Sequence, residues 1–311
     1  MCALLVLAIA ILVGCDQRSR PATTGTPSVN VTPAPAPAVY PRTVTDASKQ
    51  ALTLEAQPKR IVSMSPGATE TLFAIGAGPR VIAVDQFSDF PVEGTRALTR
   101  VDYSRPSPEQ VIALRPDLVL MSGRQRDQVQ RFRDLGVPVM YLGEPATLDG
   151  VFEHVLLIAS ATGDDDRAVT VVRALRERVE AVRTRIADVT TGPRVFYELS
   201  PSLFTAGPNS FIGSVITTLK GQNVATTTTP FPQLSNEALI AADPEVILLA
   251  DAGAAKVESS AVGARPGWAG ISAVRNGRVY PLDDNIASRP GPRIVDALEA
   301  IARVLYPDRF R

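Results

Sequence analysis

No cysteine occurs after Cys15: the two cysteines of this 311-residue chain, Cys2 and Cys15, both stand at its extreme N-terminus. That excludes a disulfide framework, a thiolate metal site and a cysteine nucleophile from the rest of the chain. Histidine is nearly absent too. The single one, His154, allows no zinc pair, no HExxH motif and no Ser-His-Asp set to be nominated. It lies in the apolar helical stretch VFEHVLLIAS and reads as a satisfied structural histidine. Net charge is missing: Lys+Arg and Asp+Glu stand at 32 each, so no global field draws in nucleic acid or an anionic surface. The GxxxxGK[ST] phosphate loop does not occur. Glu70, Glu109 and Glu237 fall on separate elements with no partner that suggests acid–base work. The longest apolar run, residues 3–14 (ALLVLAIAILVG), is too short to span a bilayer comfortably and has the length of a signal-peptide core.

What is present begins with that run. It ends in LVGC at 12–15, which resembles a bacterial lipobox, in which the cysteine becomes the first residue and carries lipid; no basic residue precedes it. Residues 1–15 are therefore expected to be a lipoprotein signal peptide, with Cys15 the lipidated position. The mature protein would then be lipid-anchored at the periplasmic or cell-surface face of the cytoplasmic membrane. Residues 16–57, with PATTGTPSVNVTPAPAPAV at their centre, have little to bury and are expected to be a disordered Pro/Thr/Ser-rich tether.

From Pro58 the pattern becomes α/β. Strand-like runs at 60–64, 81–85, 118–121 and 137–142 alternate with helical stretches at about 67–76, 107–114, 125–135 and 147–162. The second half repeats the scheme, with strands at 194–199, 245–251 and 278–282 and helices at about 208–219, 235–242 and 292–305. Near-continuous apolar strands separated by helices predict mostly parallel sheets covered on both faces. Between the halves, Ala168, Val172, Leu175, Val179, Val182 and Ile186 follow spacings of four and three, a single stripe on one long helix. Asp164, Asp165 and Asp166 suit its N-terminus, and Gly192-Pro193 stops the run.

An internal repeat defines the architecture. SPEQVIALRPDLVL at 107–120 returns 128 residues later as SNEALIAADPEVIL at 235–248, and Tyr103 and Phe231 hold the same place before each copy. The expected fold is α/β with two similar lobes of mostly parallel sheet flanked by helices, an N-terminal lobe at 58–163 and a C-terminal lobe at 190–311. One backbone helix at 164–189 joins them, and a ligand cleft lies between them. Glu109 and Glu237 fall two residues after cap-like serines, where a carboxylate favours a helix start; their repetition suits a second, shared purpose. Tyr103 and Phe231 suit the two faces of a flat ligand. Ser65 and Pro66 open a helix after the first strand, and Phe87, Asn285 and Arg289 lie in loops after other strands or before the last helix.

These features together resemble the substrate-binding lipoproteins of ABC importers for cobalamin, ferric siderophores and haem. The resemblance is carried by PKRIVSMSPGATETLFAIGAG at 58–78, SPEQVIALRPDLVL at 107–120, LGVPVMYL at 135–142, FYELSPSLFTAGPNSFI at 196–212, FPQLSNE at 231–237 and ASRPGPRIVDALEAIA at 287–302. It covers about residues 58–307 and is nearest to the cobalamin-binding branch, whose members usually place Trp where this chain has Tyr103 and Phe231. It implies a binding protein, not an enzyme, with no cofactor and no metal of its own. Its partners would be a small-molecule ligand and an ABC permease dimer. Ser65, Pro66, Phe87, Tyr103, Phe231, Asn285 and Arg289 would contact the ligand, and Glu109 and Glu237 would dock to permease arginines. A corrinoid is the expected ligand. The alternatives are a ferric siderophore or haem, for whose iron Tyr103 or Tyr197 could serve as ligand, an enzyme on a related two-lobed fold, or a structural surface lipoprotein.

Overall fold

The strands form where apolar residues run without interruption, because both faces of each sheet are covered. In the computed structural model, which describes residues 38–251, 259–287 and 289–311, β3 (Ile61–Met64), β4 (Val81–Asp85), β5 (Thr99–Val101), β6 (Leu118–Met121) and β7 (Val139–Tyr141) make one parallel sheet in the order β5-β4-β3-β6-β7. β8 (Arg194–Glu198), β9 (Gln222–Asn223), β10 (Val246–Leu249) and β11 (Val279–Pro281) make a second, in the order β11-β10-β8-β9. Every residue of β3, β6 and β10 is buried, as a strand covered on both sides requires. The expected signal peptide, Cys15 and the first part of the expected tether lie outside the described residues.

The helices are α1 (Pro66–Ala74), α2 (Val92–Thr95), α3 (Pro108–Ala113), α4 (Arg126–Asp134), α5 (Leu148–Thr162), α6 (Asp165–Arg185), α7 (Phe211–Thr218) and α8 (Asn236–Ala242), then three single turns at Ser259–Val262, Ser272–Arg275 and Asp284–Ala287 and a C-terminal helix at Ile294–Leu305. α6 is the long connector. Its 21 residues extend roughly 32 Å, and the stripe Ala168, Val172, Leu175, Val179 and Val182 is buried as the spacing predicts. It packs against α5 of the first lobe and the C-terminal helix of the second. One core cluster consequently runs without a break from Val44 through α6 to Leu305. Smaller cores cover the outer face of each sheet, around Phe132 in the first lobe and Trp268 in the second.

The repeat reaches below the level of sequence identity. Ser107 and Ser235 each cap their helix by accepting from a backbone N–H three residues on, Gln110 at 3.3 Å and Ala238 at 3.1 Å. Arg60 donates to the carbonyls just past α3, Leu114 and Arg115, at 2.6 and 3.0 Å, while the Asp117 carboxylate accepts from its backbone N–H at 2.8 Å. Arg194 repeats the arrangement with Ala242 and Asp243 at 3.2 and 2.9 Å, and Glu245 accepts from its N–H at 2.9 Å. Each lobe thus closes its strand–helix–strand unit with the same arginine clamp. The arginines lie outside the aligned segments, so the repeat alone does not reveal them.

The expected tether reaches too far. Residues 42–54 are ordered as an antiparallel hairpin, β1 (Arg42–Thr45) with β2 (Ala51–Leu54). Its turn docks on the edge of the first sheet. The buried Asp46 carboxylate accepts from the Tyr141 N–H at 2.9 Å and forms an ion pair with Arg133, and Ala47 N–H donates to Tyr141 O at 2.9 Å. Its flanks hold the end of α5: Tyr40 and Arg42 donate to the carbonyls of Ala161 and Ser160, both at 3.1 Å, and Gln57 to that of Thr162 at 3.0 Å. Tertiary hydrogen bonds, together with Val44 and Leu54 buried in the main core, order this segment.

Candidate functional site

In an open parallel sheet, the loops that leave the carboxyl ends of the strands form the natural crevice. Both sheets here turn those ends toward one cleft of about 700 Å3. Its wall is a succession of such loops. Ser65 and Pro66 follow β3, Phe87 follows β4, Ser122 follows β6 and Leu142 follows β7; Leu199 follows β8, Ala250 follows β10 and Asn285 comes after β11. The first helix after the first strand of each lobe, α1 and α7, also begins on the cleft, through Ser65 and Ser210.

All seven residues expected to meet a ligand, Ser65, Pro66, Phe87, Tyr103, Phe231, Asn285 and Arg289, line this cleft. Their arrangement differs in part from the expectation. Tyr103 has its ring partner on its own lobe: the Phe87 ring meets it edge-on, with centroids 5.8 Å apart at 76°. Phe231 stands on the opposite lobe, half exposed. The Tyr103 backbone is fixed on both sides, its N–H donating to Gln86 Oε1 at 2.7 Å and its carbonyl accepting from the buried Gln125 at 3.0 Å. The Phe87 loop is held by the buried Asp85 carboxylate, which accepts from Phe87 N–H at 2.8 Å and Ser88 Oγ at 2.5 Å. Burial pushes the Asp85 carboxyl above its ordinary range, against the downward pull of those hydrogen bonds.

Arg289 is less available than expected. It forms an ion pair with Asp89 of the other lobe and donates to Asn285. The hydrogen bond from Arg289 holds the Asp89 carboxyl below its ordinary range, so the pair stays charged at neutral pH. A second cross-lobe pair lies behind it. The buried Glu70 of α1 accepts from Arg293 at 2.6 Å, and the Arg293 guanidinium covers the Phe90 ring at 4.0 Å. Here the two lobes touch backbone to backbone. A Cβ on Gly67 would stand 2.4 Å from Pro290 O, so only glycine fits at that point.

Glu109 and Glu237 do not line the cleft; both are exposed at the starts of α3 and α8. A helix between parallel strands begins at the carboxyl edge, so the two carboxylates stand on the same side of their lobes as the cleft mouth. Glu109 accepts from Ser107 Oγ at 2.7 Å, and this hydrogen bond holds its carboxyl below the ordinary range.

Sequence reasoning missed part of the wall. Asn209, Ser210, Phe211 and Ile212 line the cleft at the start of α7, the counterpart in the second lobe of Ser65 and Pro66. Carrying the lobe equivalence back from the repeat to the first strand of each lobe would have pointed there. The loop Leu142–Ala146 and His154 also line it. His154 therefore stands in the cleft wall, where the apolar pattern around it had suggested a purely structural role. His154 shares its face of α5 with Ile158, one turn on, which is buried and lines the same cleft. Among the described residues, no cluster of three or more His, Cys, Asp or Glu side chains could hold a metal ion by itself, and no helix is long and apolar enough to cross a membrane.

Two α/β lobes on one connecting helix, with both carboxyl edges turned to an aromatic-lined cleft, are the architecture of a two-lobed solute-binding protein. Residues 61–286 match the model of the periplasmic binding protein family, and the chain belongs to that family. It is 34% identical over 284 residues to a cobalamin-binding protein of Halobacterium salinarum, covering 86% of this chain and 74% of that one. It is 29% identical over 321 aligned positions to an uncharacterised ABC transporter substrate-binding lipoprotein of Bacillus subtilis, covering 99% and 97%. The solved periplasmic haem-binding protein of Roseiflexus sp. RS-1 shares its fold with a TM-score of 0.73 at 29% identity, covering 81% of this chain and 99% of that one. These relatives are named for binding or transport, not for catalysis.

Proposed function

We propose that the chain is the extracytoplasmic substrate-binding component of an ABC importer, anchored by lipid on Cys15, and that it captures a cobalamin-type corrinoid for delivery to the permease. The observation that carries the ligand class is the balance of the cleft wall. It offers aromatic faces from both lobes (Tyr103 and Phe87 from one, Phe231 from the other) and, among the described residues, one guanidinium, Arg289, already neutralised by Asp89. Apolar area and ring faces suit a large flat macrocycle. An anionic ferric catecholate would want several converging cations, which this wall does not provide. Ser65, Pro66 and Asn285 would supply polar contacts, with Arg289 held at the rim by its cross-lobe pair. The cobalamin-binding relative supports the ligand, and the lipoprotein relative supports the anchor. Glu109 and Glu237, exposed on equivalent elements, would serve as the paired docking points for a permease dimer.

Haem is the second reading, favoured by the imidazole of His154 in the cleft and by the haem-binding structural relative. Calorimetric titration with cyanocobalamin, haemin and a ferric catecholate separates the readings. Cyanocobalamin is expected to bind at micromolar concentration or below. Preference for haemin would select the second reading, and failure of all three would remove the ligand class.

A further inference from the structure

His154 is the one imidazole in the chain, and its position in the cleft has chemistry beyond packing. It lies on α5, a 15-residue helix held by the buried Val151, Phe152, Val155 and Ile158. Ile158, one turn on, lines the same cleft, so this part of α5 forms a rigid wall there. Leu142, in the loop after β7, lines the cleft beside it. A neutral imidazole keeps a lone pair on one ring nitrogen, the donor that metal-bound histidines use. Burial holds the imidazolium pKa below its ordinary value, so that lone pair is present at neutral pH. The opposite requirement, a face for a flat ligand, is met by Tyr103, Phe87 and Phe231 on the same cleft.

We propose that His154 supplies an axial nitrogen ligand to the metal at the centre of the bound macrocycle, so that the cleft selects macrocycles with an exchangeable axial position. This rests on the corrinoid reading and narrows it: aquocobalamin is the preferred form over cyanocobalamin. The step is a ligand exchange. The imidazole lone pair forms the Co–N bond, the bound water leaves with its electron pair and both protons, and cobalt(III) keeps its oxidation state. Cobalt and iron both accept imidazole nitrogen, so haemin forms the comparison arm.

The test titrates the full chain with aquocobalamin, cyanocobalamin and haemin, recording affinity and visible spectrum, for the wild type, His154→Ala and His154→Gln. In the wild type, aquocobalamin is expected to bind with a shift of its visible bands, as imidazole replaces water. In both variants the shift should disappear, and the affinity ratio of aquocobalamin to cyanocobalamin should fall at least about tenfold, which is about 1.4 kcal/mol. Added imidazole should restore the shifted bands in His154→Ala. His154→Gln keeps a polar side chain that fills much of the same space, so its agreement with the alanine variant separates ligation from loss of packing. Aquocobalamin that binds the wild type with an unchanged spectrum overturns the assignment while leaving the corrinoid reading intact, as does an equal loss of both corrinoids in the variants. If neither corrinoid binds the wild type, the corrinoid reading falls and this selection falls with it. A haemin spectrum that depends on His154 would then move axial ligation to iron.

Discussion

Tyr103 depends on its neighbours for its aim: Gln86 and Gln125 hold its backbone from two sides, and Asp102 Oδ1 accepts from the N–H groups of Ser104 and Arg105 at 2.7 Å to set the turn that follows. With its backbone fixed in this way and its ring against Phe87, the side chain has less freedom to lose when a ligand meets it. Tyr103→Ala or Phe231→Ala is expected to weaken ligand binding by about 1–3 kcal/mol, roughly five- to 150-fold, measured by titration calorimetry; no change on either would mean the rings only fill space. A second residue, Asp251, carries a cost at neutral pH. Burial, and then the charge of Glu198, push its carboxyl from 3.8 to about 6. The folded state therefore keeps a proton there that the unfolded state releases, and stability falls as pH rises between those two values, remaining lower above them. Asp251→Asn should stabilise the protein at about pH 7.5 by on the order of 2 kcal/mol in urea unfolding, with the gain shrinking toward zero at about pH 4. The sequence marked Tyr103 by its repetition as Phe231. It could not mark Gln125 or Asp251, whose environment comes from residues far away in the chain.

At the scale of elements, periodicity was a sound guide wherever an element buries one continuous face. The stripe from Ala168 to Val182 foretold α6, and the apolar runs foretold β3, β4, β6, β8 and β10. β5 and β9 escaped because they are short edge strands with polar residues, Thr99 and Arg100 in one and Gln222 and Asn223 in the other. The hairpin escaped because Asp46 finds its partners, Arg133 and Tyr141, more than eighty residues on. Since one core cluster passes through α6, the lobes should not unfold separately. Leu175→Ala, which removes a side chain buried in that cluster, should cost about 2–4 kcal/mol. Circular dichroism and the fluorescence of Trp268 in the second lobe should still report one shared transition; two transitions would show that α6 does not couple the lobes.

For the whole molecule, the repeat announced two lobes but not how they are fastened. The pairs Arg289–Asp89 and Arg293–Glu70 join residues 200 and 223 positions apart, and nothing local in either loop signals the other. Glu109→Gln with Glu237→Gln should abolish ligand uptake in cells while leaving the ligand dissociation constant within a few-fold, measured on the same preparation. Weakened binding with normal permease association would reverse their assignment. Cys15→Ala should move the protein from the membrane to the soluble fraction on cell fractionation, and retention at the membrane would remove the lipid anchor. The packing of the C-terminal helix on α6 has a consequence in time. Asp296 and Glu299 reach Arg178 of α6 at 2.6 and 2.9 Å, yet α6 ends at Arg185 and that helix begins only at Ile294. A chain synthesised from its N-terminus at about 5–20 residues per second leaves α6 waiting roughly 5–20 s for its cover. During that interval the part of the α6 stripe that α5 does not cover stands open to water, and a nascent chain halted before Ile294 would offer proteases and other chains a surface that the finished protein hides.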